Sequence, residues 1–223
     1  ELVDALIKEL RAMNKSLDIP DGIKDYEGGI IDYVRYLNDG KTVLHDQPIY
    51  LEGQKDSVIC RVAIQYTDGY TESLFSYVNN IPTGEGGTHE TGFKAAFTKM
   101  FNDYARRNGF LKEKDSNLTG EDFREGLSCV LTTMVKNPQF EGQTKGRLGN
   151  SEVRPAVEGI ITQQLTDWLE NLKNQEIAQQ IVQKAIRAAQ VREWLALHLY
   201  NPREMQFNKP WTMCPAMPGL FEE

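Results

Sequence analysis

EGLSCVLTTMV, Glu125 to Val135, is the stretch whose reading decides the fold. It is a near-continuous run of β-forming residues. Upstream of it, THETGFKAAFTKMFNDYARRN (residues 88 to 108) sets Phe93, Ala96, Phe97, Met100, Phe101 and Tyr104 on one stripe, the pattern of a long half-buried helix. Before that helix come PIYLEGQ, SVICRVAIQYT and ESLFSYVNN, three β-rich runs parted by turn residues such as Gly53 to Asp56 and Thr67 to Gly69, which read as an antiparallel meander. A strand that follows a helix that follows a meander implies an α+β sheet with a crossover.

The flanks are helical. Leu2, Leu6, Leu10 and Met13 predict a helix over 2 to 14, ending before the breaker-rich DIPDG. YEGGIIDYVRYLNDG predicts a second, with Ile31, Val34, Tyr36 and Leu37 on one face. From Ser151 to about Trp194 the period is again helical. Val157, Ile160, Ile161, Leu165, Trp168, Leu169 and Leu172 form one apolar face, and Ile177, Ile181, Ala185, Ala188 and Ala189 a second, as two helices or one bent helix. From residue 195 onward the proline-rich stretch shows neither period and reads as irregular.

Lys and Arg number 25 against 32 Asp and Glu, a formal net charge of −7, which argues against a surface basic overall. A basic face on one side is compatible with that total. Cys60, Cys129 and Cys214 lie far apart, and the first two sit in apolar runs as buried free thiols, with no disulfide framework or zinc cluster. No apolar run approaches about 18 residues, and the amino end lacks a signal peptide's apolar stretch, so the expected compartment is the cytoplasm, with no membrane partner.

Two loops could carry chemistry. GEGG, residues 84 to 87, matches neither G-x-G-x-x-G nor the P-loop pattern, and reads as a flexible turn opening the helix of residues 88 to 108. His89 in that helix's first turn has no second histidine or cysteine at metal spacing and reads as a structural histidine. FEGQTKGRLGNSEVR, Phe140 to Arg154, sets Lys145 among glycines at 142, 146 and 149, a setting that lets backbone approach a polyanion while the ammonium supplies a point charge. The alternative is an ordinary solvated lysine. Lys94, Lys99, Arg106 and Arg107 lie off the apolar stripe, as a solvated face or a strip that tracks phosphates. Asn117-Leu-Thr119 has glycosylation spacing but no secretion signal to make it relevant.

The ordered set YEGGI (Tyr26 to Ile30), NNI (Asn79 to Ile81), EGGTHETGFK (Glu85 to Lys94), NDYARRNG (Asn102 to Gly109), LTGEDFREGL (Leu118 to Leu127) and QFEGQTKGRLGNSEVR (Gln139 to Arg154) resembles the ATPase subunit of bacterial type IIA DNA topoisomerases, in its second, transducer domain. NSEVR leans towards the gyrase branch over topoisomerase IV. The resemblance implies an α+β fold like ribosomal protein S5 domain 2, with a left-handed crossover around the THETGFK helix and a long carboxy-terminal helical arm. It divides the chain into the end helix of an ATP-binding domain with a shortened linker (1–25), the transducer (26–150), the arm (151–194) and a tail that departs from the family (195–223).

What the resemblance implies for the site is specific. Gln143, Thr144 and Lys145 form a loop that reaches the nucleotide held by the preceding ATP-binding domain, with Lys145 on the γ-phosphate as the catalytic contribution. ATP and Mg2+ belong to the whole protein, and this portion alone is expected to bind neither. Lys94, Lys99, Arg106 and Arg107 are the candidates for a DNA-holding cavity. The implied partners are DNA, a gyrase A-like cleavage subunit and a second copy of the ATPase subunit in the presence of nucleotide, and the implied function is the coupling of ATP hydrolysis to DNA strand passage. Two other classes stand beside it. A stand-alone S5-like nucleic-acid-binding module leaves the QTK loop with no nucleotide to meet, and a small-molecule kinase needs a phosphate loop that GEGG does not supply.

Overall fold

A computed structural model of the chain describes residues 29–142 and 145–199. The expected helix over 2 to 14, the linker to residue 25, Gln143, Thr144, Cys214 and the expected tail beyond residue 199 lie outside the described residues. In chain order the elements are helix α1 (Ile30–Leu37), strands β1 (Ile49–Lys55), β2 (Val58–Tyr66), β3 (Ser73–Val78) and β4 (Ile81–Pro82), and helices α2 (Thr88–Arg107) and α3 (Gly120–Arg124). Then follow β5 (Leu127–Val135), the short pair β6 (Phe140–Glu141) and β7 (Arg147–Leu148), α4 (Val153–Glu170), a 3-10 turn (Leu172–Asn174) and α5 (Gln175–Leu199).

The main sheet has the order β1-β2-β5-β3-β4. Strand β5 pairs antiparallel with β2 and parallel with β3. The first three strands therefore do not form the expected meander: β1 and β2 are a hairpin, but β5 separates β2 from β3. The composition of β5 explains this. Leu127, Cys129 and Leu131 enter the larger core cluster while Val130 enters a smaller one on the opposite face, so the strand is buried on both sides. A doubly buried strand satisfies its backbone groups best with a neighbour on each edge. The β1–β2 turn is also tighter than expected, since Gly53 pairs with Cys60 inside the ladder and only Asp56 and Ser57 lie between Lys55 and its partner Val58.

Helices α2 and α4 cover one face of the sheet. Phe93, Phe97 and Phe101 repeat at four-residue spacing on α2, with adjacent ring centroids 5.4 and 4.7 Å apart, and Phe123 of α3 continues the row at 5.8 Å. Val153, Val157, Ile161 and Leu165 of α4 join the same core, so the helical stretch that begins near residue 151 starts as part of the domain body. On the opposite face α1 seats Tyr33 and Val34 against Ala63, Tyr77 and Val130. Tyr36, expected on the buried face, is 56 % exposed, because the 3.6-residue period favours the i and i+1 pair at 33 and 34 over position 36.

The helical region after Ser151 is two helices. Asn171 accepts from the Lys173 N–H and Asn174 donates to the Trp168 carbonyl, side-chain bonds that close the first helix and turn the chain. Leu172 sits at that turn 77 % exposed, outside the apolar face predicted for it. Helix α5 packs on α3 and runs to Leu199, beyond the point at Trp194 where apolar periodicity fades, through residues that favour helix intrinsically. Among the described residues no helix is long and apolar enough to cross a membrane.

The approach of α2 to α4 depends on Gly92. A Cβ there would lie 2.6 Å from the Arg154 carbonyl oxygen, so backbone meets backbone with no room for a methyl group. In an open helix, glycine to alanine stabilises by up to about 1 kcal/mol. Here Gly92→Ala is expected to destabilise by about 1–3 kcal/mol through overpacking, lowering the thermal midpoint by roughly 2–4 °C for each kcal/mol. A differential scan of the two proteins tests this, and a raised midpoint would show that the helices are free to separate.

Candidate functional site

Lys145 lies near the tip of the β6–β7 hairpin. Phe140 pairs with Leu148 and Glu141 with Arg147, leaving residues 142–146 as the connecting loop. Its side chain is exposed and its backbone has φ +55, an uncommon setting for a residue with a Cβ. Among the described residues of the loop, Gly142, with φ +77, is a second left-handed position. Arg147 and Glu141 form an ion pair at 3.3 Å across the stem, which is more than half exposed and adds little stability.

The stem gains its order from elsewhere. Asn150 accepts from the Gln139 N–H at 2.5 Å and donates to the Asn137 carbonyl and the Glu152 carboxylate, and the Gly149 N–H donates to the Gln139 carbonyl. On the other side the hairpin is clamped by GEGG. The Glu85 N–H donates to the Gly146 carbonyl at 2.9 Å and the Leu148 N–H to the Gly86 carbonyl at 3.2 Å, while Gly87 bridges Leu148 as a parallel partner. The loop read from sequence as a flexible turn is thus the bracket of the lysine hairpin. The signal for it lies in the paired glycines. Gly87 has φ +145, and a Cβ on it would stand 2.6 Å from both the nitrogen and oxygen of Leu148.

His89 is fully buried beneath this bracket, and its Nε2 lies 3.1 Å from Thr83 Oγ1. Its Nδ1 has no partner, so the structural reading holds for one ring nitrogen only. Burial pushes the imidazole pKa down from 6.5 to about 4, with Glu90 opposing and Lys94 reinforcing the shift.

The four cations of α2 do not form one patch. Lys94 and Lys99 line a shallow groove of about 560 Å³ that also contains Asp103. Lys94 is ion-paired with Glu90 at 3.0 Å. Arg107 borders a separate cleft of about 160 Å³ beside Glu170. Arg106 is engaged structurally, donating to Asn117 Oδ1 and to the Lys112 and Asp115 carbonyls, which folds residues 110–118 back on the helix. Asn117 of the glycosylation triplet is thereby occupied, and Thr119 caps α3 in a capping box with Asp122. Among the described residues no group of three or more His, Cys, Asp or Glu converges as metal ligands, and Cys60 and Cys129 are buried free thiols whose pKa values burial raises.

The family model for DNA gyrase B matches residues 29–196. The DNA gyrase B protein of Bacillus mycoides is 50% identical over 198 residues, covering 89% of this chain and 48% of that protein. The DNA gyrase B protein of Streptococcus pneumoniae is 47% identical over 196 residues, covering 83% of this chain and 30% of that protein. Among solved structures, the 43K ATPase domain of Thermus thermophilus gyrase B, in complex with an aminocoumarin, superposes with a TM-score of 0.70 at 38% identity, over 76% of this chain and 45% of that one. The topoisomerase IV ATP-binding domain of Francisella tularensis, in complex with a small-molecule inhibitor, does so with a TM-score of 0.61 at 29% identity, over 75% and 44%. The chain spans less than half the length of these relatives.

Two measurements follow from the bracket. Gly87→Ala is expected to cost about 1–3 kcal/mol of local strain and to release the hairpin, so that the Glu85 and Leu148 amides exchange roughly tenfold faster or more while β2 and β5 amides hold. Unchanged exchange would mean that the hairpin stands without GEGG. For His89, an imidazole in the unfolded chain takes its proton near pH 6.5 and the folded one near 4, so between these values the unfolded state binds more protons. Stability is therefore expected to fall as pH drops through that window, by roughly 2 kcal/mol at pH 5. His89→Gln should flatten the slope, as read from denaturant midpoints at pH 7 and pH 5.

Proposed function

This chain belongs to the DNA gyrase B family, and we propose that it serves as the transducer domain of an ATP-hydrolysing type II DNA topoisomerase subunit, coupling nucleotide hydrolysis on a neighbouring domain to DNA strand passage. The observation that carries the reading is the exposed Lys145 on a hairpin whose stem is bonded on both sides. A lysine so held supplies a positive charge at a fixed distance from the domain body, which is what a γ-phosphate on another domain requires. Gln143 and Thr144 are proposed to complete the contact. ATP supplies the phosphoanhydride bond, and this chain's part is charge stabilisation and positioning. Mg2+ is proposed to accompany ATP on the domain that holds the nucleotide.

The finer architecture belongs to the same proposal. Parallel pairing of β3 and β5, with α2 between them in sequence, supports an S5 domain 2-like sheet with a crossover, whose left hand is part of the proposal. Residues 26–150 are read as the transducer proper and 151–194 as the helical region that carries its movement. Both helices of that region, α4 and α5, contribute side chains to the core cluster, so the proposed arm moves together with the domain body. Lys94 and Lys99 on one side of α2 and Arg107 on another would meet the phosphates of a duplex enclosed by paired subunits. A gyrase A-like subunit supplies the DNA cleavage, and the assembly is expected in the cytoplasm. Alone, the chain is expected to be inactive.

The test is Lys145→Ala in the intact subunit carrying this sequence. Loss of one preorganised charge stabiliser typically costs on the order of 10² to 10³ in rate. Hydrolysis is expected to fall by about that factor while nucleotide binding persists in weakened form and the thermal midpoint stays put, because an exposed loop lysine buries little. Lys145→Arg should not restore full turnover, since a planar fork does not reproduce a compact ammonium. Undiminished turnover in the alanine variant would make Lys145 an ordinary solvated residue and remove the basis of the assignment.

A further inference from the structure

Beneath the GEGG bracket lies a line of hydrogen bonds that joins α2 to the lysine hairpin. Lys94 Nζ is 3.0 Å from Glu90 Oε2, and the other carboxylate oxygen, Oε1, is 2.6 Å from Ser76 Oγ. Ser76 Oγ is 2.6 Å from Thr83 Oγ1, which is 3.1 Å from His89 Nε2. Ser76, Thr83 and His89 are 5 %, 1 % and 0 % exposed, so water does not compete for the bonds among these three, whereas the Lys94 end of the line is open to solvent.

The chemistry of the end groups fixes the direction of every proton. The Glu90 carboxylate, paired with Lys94, only accepts, so the single Ser76 proton goes to it. Ser76 Oγ must then accept from Thr83 Oγ1–H, and Thr83 must accept from His89 Nε2–H. That assignment leaves His89 Nδ1 without a proton, in agreement with its having no acceptor to serve. The series therefore runs from His89 through Thr83 and Ser76 to Glu90, with Lys94 donating from the other end.

Ser76 has a second acceptor. The Thr83 carbonyl oxygen lies 3.1 Å from Ser76 Oγ, and this same carbonyl receives the Gly86 N–H at 2.9 Å to close the turn that carries the bracket. When Glu90 changes its orientation, the Ser76 proton can turn to that carbonyl while Ser76 Oγ still accepts from Thr83 Oγ1–H, and the carbonyl that closes the turn gains a second donor. Two discrete arrangements of one hydroxyl thus differ at the backbone that holds Gly146 and Leu148.

We propose that Glu90, Ser76 and Thr83 are positioning residues that couple the charge state of the Lys94 site to the setting of the Lys145 hairpin. An anion that pairs with Lys94, of which a nucleic-acid phosphate is the kind expected from the function proposed above, releases Glu90 Oε2 and frees the carboxylate to swing away from Ser76, whose proton then turns to the Thr83 carbonyl. The hairpin responds because the 83–87 loop is its bracket. The ligand identity rests on the proposed function, whereas the coupling between Lys94 and the hairpin does not.

The experiment is a double-mutant cycle on this chain read by amide exchange at Glu85 and Leu148, with β2 amides as an internal control. Lys94→Ala is expected to change exchange at both amides, one on the bracket and one on the hairpin, and Ser76→Ala to remove that response, giving a non-additivity of roughly twofold or more. Ser76→Thr, which restores the hydroxyl, should restore the response. Glu90→Gln replaces Ser76→Ala in the cycle should the latter not fold. Additive effects, or a Lys94→Ala effect spread equally over β2, would overturn the proposal. A short DNA duplex added to the unsubstituted chain forms a separate arm. If it reproduces the Lys94→Ala change, the phosphate is the natural input; if it does not while the cycle is non-additive, the coupling stands and the DNA assignment fails.

Discussion

The structure depends on one strand having two neighbours. Strand β5 is buried on both faces, and its backbone is paired on both edges, antiparallel to β2 and parallel to β3. Parallel pairing cannot be closed by a tight turn, so the chain between β3 and β5 must cross over the sheet, and α2 is that crossing. The N-terminus of α2 is thereby set directly after the β3–β4 hairpin, and the loop 83–87 that joins them falls where the chain emerging from β5 makes its own hairpin. The bracket under Lys145 is a consequence of where β5 sits.

Close packing then leaves few alternatives. Gly92 allows α2 to touch the backbone of α4, and Gly87 allows the start of α2 to touch the backbone of β7. The two contacts lie five residues apart on one element and face the chain on either side of Asn150, whose side chain ties 137, 139 and 152 together. The hairpin stem and α4 are for this reason positioned by the same helix, although neither was paired with it by any sequence period.

Much of this was legible in the sequence. The α2 stripe from Phe93 to Tyr104, the β5 run and the two apolar faces after Ser151 were readable because burial writes a period of 3.6 or a continuous apolar run into the chain. Strand order was not. Pairing partners are chosen by tertiary packing, and PIYLEGQ, SVICRVAIQYT and ESLFSYVNN look alike whether or not another strand comes between them. Tyr36 and Leu172 fit an apolar face by type yet lie beside it by angle. At the site, Lys145 was visible through its flanking glycines, and Lys94 and Lys99 through their departure from the stripe. Ser76, Thr83 and Glu90 were not, since a buried polar residue in a strand or helix carries no local mark of the partner it has found across the fold.

Helix α5 is held to the body by polar contacts at two places as well as by Ile181, Val182 and Ala185. Lys184 donates to the Gly69 and Asp68 carbonyls beside the Tyr70 ring, and Arg192 donates to the buried Asp122 carboxylate and to Thr119, the cap of α3. Arg192 is partly exposed but Asp122 is buried, so a displaced Arg192 would leave behind a carboxylate that has lost its hydration. Sliding α5 along α3 would break the Arg192 contact outright, whereas a rigid rotation of α3 and α5 together would preserve it. The turn at Asp68–Gly69 follows directly from β2, and α3 leads through Glu125 and Gly126 into β5, so both anchors of α5 lie at the ends of the strands that define the sheet. Movement of the long helix is therefore tied to the sheet rather than to the hairpin, and any coupling between the hairpin and α5 must pass through the domain body, where Leu148 of the hairpin and Ile181 of α5 share one core cluster with β5 and α2.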